Sequence, residues 1–401
     1  MAKIMNNGVC FPKGFLAAGV KAGIKASGNL DLALLYTKEK ARCFATFTKN
    51  QVQAAPVLYD KAVLAKTKFV NAIIVNSGNA NACTGKPGDE DAARMAQYIE
   101  KELGLGKLSV LVGSTGVIGR KLPIEKIKAA IPALVKDLSG KNSKVFAKAI
   151  CTTDTVIKTG SIALKTAKGE VRFGGACKGS GMIHPNMATM LAYITTDLEL
   201  PANFSADFKA LIDESFNAIT VDGDTSTNDT CILLANGASG ISLSDLSKAE
   251  QAKVRNVLFE LMKNLALQIV KDGEGATKKV EIEVCGAKSK IEAMRIAKSI
   301  ATSNLVKCAL FGEDPNWGRI VSSAGASGVA FQPAKLSLHF EDIQVMEKGM
   351  PMGISANALR KIFKKKDYKI SLNLHAGKSR ASVFTCDLSY DYVKINAEYT
   401  T

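Results

Sequence analysis

The sequence predicts a mixed α/β (α+β) protein in which strands and helices follow one another along the whole chain. Its 401 residues are 47% hydrophobic, a composition typical of globular proteins rather than disordered ones. Short apolar runs such as residues 69–75 have the length of buried strands, and stretches such as residues 89–103 carry apolar residues at helical spacing. A chain of this length exceeds the size of a single core, so more than one structural unit is expected.

In the first half, turn and cap signals delimit the elements. Strands are predicted at residues 41–48, 69–75 and 108–112, and a buried strand at residues 190–194. Helices are predicted at residues 89–103, 123–138 and 143–150. The first of these has an acidic first turn, and Gly104 follows its end.

In the second half, a helix is predicted at residues 205–216 with Ser205 as its cap. Ser247 and Glu250 form a capping box that begins a long helix ending near residue 270. A helix at residues 288–301 is accompanied by strands at residues 279–284, 305–311, 335–339, 369–374, 382–386 and 392–396.

Composition excludes several classes of protein. The nine cysteines are scattered singly and there are only three histidines, so neither a zinc site nor a disulfide framework is supported. Free thiols in a reducing cytoplasm fit better. No targeting segment is visible in residues 1–15, and no run of roughly 18 apolar residues predicts a membrane span.

The formal charge of +16 raises the question of nucleic acid. The lysines are dispersed among acidic neighbours, and aromatic residues make up only 6% of the chain. No basic stretch is interleaved with aromatic residues as a base-stacking surface requires. We therefore expect no nucleic-acid partner, although a positive field can attract acidic amino acids.

The segment 220–230 is dense in oxygen ligands. The spacing of Asp222, Asp224, Asn228 and Asp229 is not that of an EF-hand, and the bidentate glutamate is missing. This pattern predicts a structural loop or one adjacent to an active site, and no metal site is expected.

A motif near the middle of the chain places a threonine between a loop and a strand. Residues 178–191 read KGSGMIHPNMATML. Thr189 directly precedes the apolar run, so it would lie where an irregular loop enters a rigid strand, a position often used to display catalytic groups. By residue type alone, the simpler interpretation is a β-branched residue that begins a strand.

This motif closely resembles the self-cleaving signature of the ornithine acetyltransferase family, and similar segments recur from Gly14 to Thr401. The resemblance implies that the protein cuts its own Ala188–Thr189 bond. The fragments 1–188 and 189–401 would remain interlocked, with stacked sheets between helical layers. Thr189 would become an N-terminal nucleophile, and its freed α-amine, with a reference pKa of about 7.7–8.0, could act as its base.

The glycine-rich loop 113–119 follows a predicted strand. By itself it could cradle a phosphate or form an oxyanion hole, and its spacing fits neither the dinucleotide fingerprint nor the P-loop. The resemblance favours the oxyanion hole and assigns it to Thr115 and Gly116.

The resemblance also implies a set of substrate-binding residues. Thr152 is preferred to its neighbour Thr153. Glu274 lies between two glycines, where a glutamate has little helical or packing reason to be. The full implied set is Thr152, Lys178, Thr189, Glu274, Asn396 and Thr401.

The function implied is an N-acetyltransferase of arginine biosynthesis. It would move the acetyl group from N2-acetyl-L-ornithine to L-glutamate through an acetyl-Thr189 intermediate. Acetyl-CoA remains open as a further donor, and no metal or organic cofactor is expected. The resemblance suggests a cytoplasmic heterotetramer of two α and two β chains. The alternative activity is a self-cleaving aminopeptidase or amidase, in which water replaces glutamate as acceptor.

Overall fold

The computed structural model describes residues 3–184 and 190–398. The strands within these residues are β1 (Phe15–Val20), β2 (Leu32–Phe47), β3 (Phe69–Asn79), β4 (Val110–Val117), β5 (Lys158–Thr166), β6 (Gly169–Lys178), β7 (Leu191–Thr196), β8 (Thr230–Ala235), β9 (Lys279–Ala287), β10 (Ser337–Phe340), β11 (Ile343–Glu347), β12 (Met350–Pro351), β13 (Asp367–Asn373) and β14 (Ser379–Cys386). The α-helices are α1 (Ala55–Lys66), α2 (Gly85–Glu102), α3 (Ile124–Lys136), α4 (Ser143–Ala149), α5 (Phe204–Glu214), α6 (Lys248–Lys271), α7 (Lys290–Ala301), α8 (Asn304–Phe311), α9 (Trp317–Gly325), α10 (Ala356–Phe363) and α11 (Tyr390–Glu398). These elements confirm the predicted mixed α/β class.

The larger sheet joins the two halves of the chain. Its strand order is β4-β3-β2-β8-β7-β6-β5, and β1 pairs with β2 at its side. Strands β7 and β8, which follow residue 189, lie between β2 and β6, which precede it. Segments from both sides of the predicted cleavage point therefore share one continuous hydrogen-bonded sheet.

Helices cover both faces of this sheet because successive strand residues point to opposite sides. On β7, Ala192 and Ile194 belong to the apolar cluster that contains α5 and α6. The intervening residues, Leu191 and Tyr193, belong to a cluster with α1 and α4. Helices α2 and α3 pack against the β3–β4 end of the sheet. The sheet thus lies between two helical layers.

The smaller sheet is built entirely from residues after 189. Its strand order is β12-β11-β10-β13-β9-β14, with β9 and β13 parallel and the other pairs antiparallel. Its apolar cluster includes residues of α7, α9 and α10. No helix in the described part of the chain combines the length and the apolar character needed to cross a membrane.

Two predicted strands are wrong, because both segments are helical. Residues 305–311 lie in α8, where the Ser303 side chain caps the helix by accepting from the N–H of Val306. A short apolar run does not distinguish a strand from a buried helix, and here the N-cap serine was the better signal. Residues 392–396 lie in α11, which has no buried residue, so its alternating pattern did not report burial on a sheet.

Candidate active site

The predicted site residues that the structure describes come together around one pocket. Its walls include Thr115, Gly116, Thr152, Lys178, Glu274 and Asn396. These residues are distant in sequence and come from both sides of residue 189. Ala188, Thr189 and Thr401 lie outside the described residues. Met190, the residue that follows Thr189, is itself part of the wall.

The end of β4 forms one wall of the pocket. Parallel pairing sets Thr115 opposite Ser77 and Gly116 opposite Gly78 of β3. Gly116 has a φ of 129°, and a Cβ there would lie 2.4 Å from the carbonyl carbon of Gly78. Only glycine fits this close approach. Because Thr115 and Gly116 pair with β3, the predicted oxyanion loop is an extension of the sheet rather than a free loop.

Lys178 is the last residue of β6 and lines the same pocket. Its Nζ donates to Oγ1 of Thr115 over 3.2 Å. Because the ammonium can only donate, the Thr115 oxygen must accept, and its own O–H proton has no acceptor among the described residues. The lysine is only 8% exposed and pairs in the sheet with Leu191, two residues after Thr189.

Asp154 lies close behind Lys178. Its Oδ1 accepts from the N–H of Gly179 over 2.7 Å, and its side chain is fully buried. Burial alone would raise the pKa of this carboxyl, but Lys178 and Lys158 outweigh it and lower the pKa to about 2. The carboxyl is therefore ionised at neutral pH.

The acidic substrate-binding candidate lines the same pocket. Glu274, 6% exposed, follows the end of α6, and its N–H donates to the carbonyl of Ser180 over 3.0 Å. The Asn396 side chain donates to Oε2 of Glu274 over 2.9 Å. A Cβ on Gly181 would lie 2.4 Å from the same oxygen. Asn396 of α11 thus holds the Glu274 carboxylate, and the absence of a side chain at Gly181 leaves room for it.

Thr152 and Thr153 both line the pocket. The N–H of Thr152 donates to Oδ2 of Asp154 over 3.0 Å. This contact ties the backbone of Thr152 to the carboxylate behind Lys178, and Thr153 has an equal place in the wall.

The loop 220–230 supplies residues that were not among the predicted site residues. The residues of this loop that line the pocket are Ser226, Thr227, Asn228 and Asp229. Asn228 is fixed by donating to the carbonyls of Ala80 and Ser114. Asp229 is 1% exposed, and among the described residues its Oδ2 has no hydrogen-bond partner. Burial raises the pKa of Asp229 well above its usual range.

The carboxylates of this loop do not gather around a metal. Among the described residues, no group of three or more His, Cys, Asp or Glu side chains could hold one. Asp222 is instead used by the backbone, because it accepts from the N–H groups of Met182 and Ile183 over 2.6 and 2.8 Å.

The arrangement suits acyl transfer to and from an amino acid. A cation and a carboxylate face one pocket, which matches the carboxylate and ammonium of such a substrate. A glycine N–H and a hydroxyl with a free proton lie at the end of β4, as an oxyanion hole requires.

Comparison with known proteins agrees with this geometry. The model of the ArgJ family matches residues 16–401. A protein of Gloeobacter violaceus named arginine biosynthesis bifunctional protein ArgJ is 45% identical over 99% of this chain and 98% of its own length. Its namesake in Geobacter sulfurreducens is 46% identical over 97% of this chain and 99% of its own.

Among solved structures, the ornithine acetyltransferase of Mycobacterium tuberculosis complexed with ornithine is 40% identical. It covers 47% of this chain and 100% of the solved chain, with a TM-score of 0.44. The family match and the full-length identities decide the assignment: the chain belongs to the ArgJ family.

Proposed function

We propose that the protein is an N-acetyltransferase of arginine biosynthesis that moves the acetyl group of N2-acetyl-L-ornithine to L-glutamate. Membership of the ArgJ family supports this activity, as do the names of the full-length relatives. The observation that carries the proposal is the pocket itself. It is lined by Thr115, Gly116, Lys178, Glu274 and Asn396, and also by Met190.

The proposed chemistry begins with cleavage of the Ala188–Thr189 bond. Attack of the Thr189 hydroxyl on the Ala188 carbonyl gives an ester, which water opens to fragments 1–188 and 189–401. The new α-amine of Thr189 then lies next to its own hydroxyl and serves as the base. The shared sheet supports fragments that stay together after the cut.

Acetyl transfer follows in two half-reactions. The Thr189 hydroxyl attacks the acetyl carbonyl of N-acetylornithine, its proton passes through the α-amine to the departing ornithine nitrogen, and the acetyl C–N bond breaks. The amine of glutamate then attacks the acetyl-threonine ester, and Thr189 regains its proton as N-acetylglutamate leaves. In both half-reactions the negative oxygen would accept from the Gly116 N–H and the free O–H of Thr115.

Substrate selection rests on two charged residues that line the pocket. Lys178 would pair with the substrate carboxylate, and Glu274, held by Asn396, would pair with its ammonium. Thr152 or Thr153, and Thr401 at the end of the chain, would complete the binding site. The word "bifunctional" in the relatives' names supports acetyl-CoA as a second donor for the same acceptor. No metal or organic cofactor takes part in this scheme.

The assembly and location belong to the same proposal. We infer two copies of each fragment, a heterotetramer, and a cytoplasmic enzyme. All nine cysteines are free thiols, which supports a reducing compartment. Sedimentation of the cleaved protein measures the assembly, and a particle holding one copy of each fragment would refute it.

A steady-state assay tests the activity. The purified protein is incubated with N-acetylornithine and glutamate, and ornithine and N-acetylglutamate are quantified. Equal amounts of both products are expected, and Thr189→Ala should form neither. Ornithine release accompanied by free acetate, with no N-acetylglutamate, would instead indicate a hydrolase.

A further inference from the structure

A buried ion-pair triad lies beside the pocket. It consists of Asp154, Lys158 and Asp272. Lys158, at the start of β5, places its Nζ 2.6 Å from Oδ1 of Asp154 and also pairs with Oδ2 of Asp272. The side chains of Asp154 and Lys158 are completely buried, and that of Asp272 is 5% exposed.

Charges at this depth persist only when they are paired. Burial disfavours the charged form of Lys158, but the two carboxylates outweigh it and raise the lysine pKa, so the ammonium persists. A buried ion pair is weak evidence of added stability, since apolar residues of similar volume often serve as well. The triad therefore calls for an explanation other than stability.

One carboxylate of the triad, that of Asp154, contacts the segment that carries Lys178. Besides Lys158, its carboxylate accepts from the N–H of Gly179, the residue directly after Lys178, and from the N–H of Thr152. One carboxylate thus sets the backbone at two places in the pocket wall.

The other carboxylate of the triad, that of Asp272, belongs to the segment that carries Glu274. Asp272 is the C-terminal cap of α6 and stands two residues before Glu274. Its side chain accepts from the N–H of Thr155 over 3.1 Å and from that residue's hydroxyl. Its carbonyl accepts from the Ser180 hydroxyl over 2.6 Å, and the Ser180 carbonyl accepts from the N–H of Glu274. Asp272 and Glu274 are therefore fixed to the same short segment that follows Lys178.

Lys158 links these two carboxylates, which lie on opposite sides of the predicted cleavage point in the sequence. Asp154 and Lys158 lie in fragment 1–188, whereas Asp272 lies in fragment 189–401. We propose that Lys158 is a positioning residue: by pairing with both carboxylates it sets the separation between Lys178 and Glu274, and thereby the recognition of an amino-acid substrate. This inference rests on the proposed function, because it assumes that Lys178 and Glu274 hold the two charges of the substrate.

A positioning role predicts a selective defect. A shift of about 1 Å in a substrate-orienting group costs roughly 10²-fold in rate. Without Lys158, the buried carboxylates of Asp154 and Asp272 have no cation between them. Their repulsion should move apart the two segments that carry them. Substrates that carry a carboxylate and an ammonium should suffer, whereas a small activated acetyl ester with neither group should still acetylate the nucleophile.

The test compares N-acetylornithine with p-nitrophenyl acetate in the self-cleaved holoenzyme. For Lys158→Met, kcat/KM for N-acetylornithine should fall roughly 10²-fold, mainly through KM, with turnover of p-nitrophenyl acetate unchanged. Asp272→Asn keeps the shape of the side chain and should cause a smaller loss of the same kind. Lys279→Met, which removes a more exposed ion pair with Asp367, is the matched control and should leave both activities unchanged.

The outcomes of this test distinguish the positioning role of Lys158 from the proposed acetyltransferase function. A parallel fall with both substrates would mean that the triad is only structural, and no fall with either would mean that it has no role; both overturn the inference. If Lys158→Met does not fold, Asp272→Asn decides in the same way. A wild-type protein that turns over p-nitrophenyl acetate but never transfers acetyl from N-acetylornithine to glutamate would refute the proposed function instead.

Discussion

Removal of the Thr115 hydroxyl should slow the chemical step more than it weakens binding. Thr115 is half-buried at the end of β4, and its oxygen accepts from Lys178 while its proton is free for the developing oxyanion. Loss of one oxyanion donor costs about 10²–10³ in kcat, or about 2.7–4 kcal/mol. Thr115→Ala should therefore lower kcat by that factor.

The assay is initial-rate acetyl transfer with both substrates varied in turn. Thr115→Ser is the matched control, because it keeps the hydroxyl and should retain most of the turnover. Thr115→Ala also removes an acceptor from a buried ammonium, so a modest loss of thermal stability should accompany the kinetic defect. A variant with normal kcat and a raised KM would make Thr115 a binding residue and refute its place in the oxyanion hole.

Two further outcomes follow from individual contacts, and a third follows from the resemblance that assigns the end of the chain to the substrate site. Gly181→Ala should displace the Glu274 carboxylate, which would lie 2.4 Å from the new Cβ, and so raise KM for N-acetylornithine; an unchanged KM would show that the carboxylate moves without consequence. Burial raises the pKa of Asp60 well above its usual range, so the stability due to its neutral form is complete at acidic pH and is lost as pH rises toward the folded-state pKa. Asp60→Asn keeps an acceptor for the N–H of Val112 and should flatten the fall of Tm with pH, whereas an unaltered slope would contradict this assignment. Deletion of residues 399–401 should leave self-cleavage intact but severely weaken N-acetylornithine use, and wild-type kinetics in a cleaved truncation would make the tail merely structural.

The order of elements was largely predictable because most of them carry strong local signals. The capping box at Ser247 and Glu250 is present as predicted, and α6 runs from Lys248 to Lys271. The failures include the short or exposed segments of α8 and α11, which were predicted as strands, and the strands β5 and β8, which were not predicted. Helix α11 buries none of its residues, so its identity depends on tertiary contacts such as Asn396 with Glu274 rather than on periodicity.

The site was predictable only where a motif marked it. Lys178 and Glu274 both line the pocket, and their substrate-binding roles stay predictions. The triad left no local signal, since Lys158 and Asp272 are ordinary charged residues by type and are separated by more than a hundred positions. Asp229 was recognised as a possible oxygen ligand, yet its burial depends on how β8 packs beside Met190, and so does the lack of a partner for its Oδ2 among the described residues.

The most direct test of the account is the intact mass of the protein after incubation with N-acetylornithine in the absence of glutamate. The account predicts two fragments, 1–188 and 189–401, with one acetyl group on the N-terminal threonine of the second. Added glutamate should remove that group and yield N-acetylglutamate. An uncut chain that still transfers acetyl groups, or an acetyl group carried by any residue other than Thr189, would contradict it.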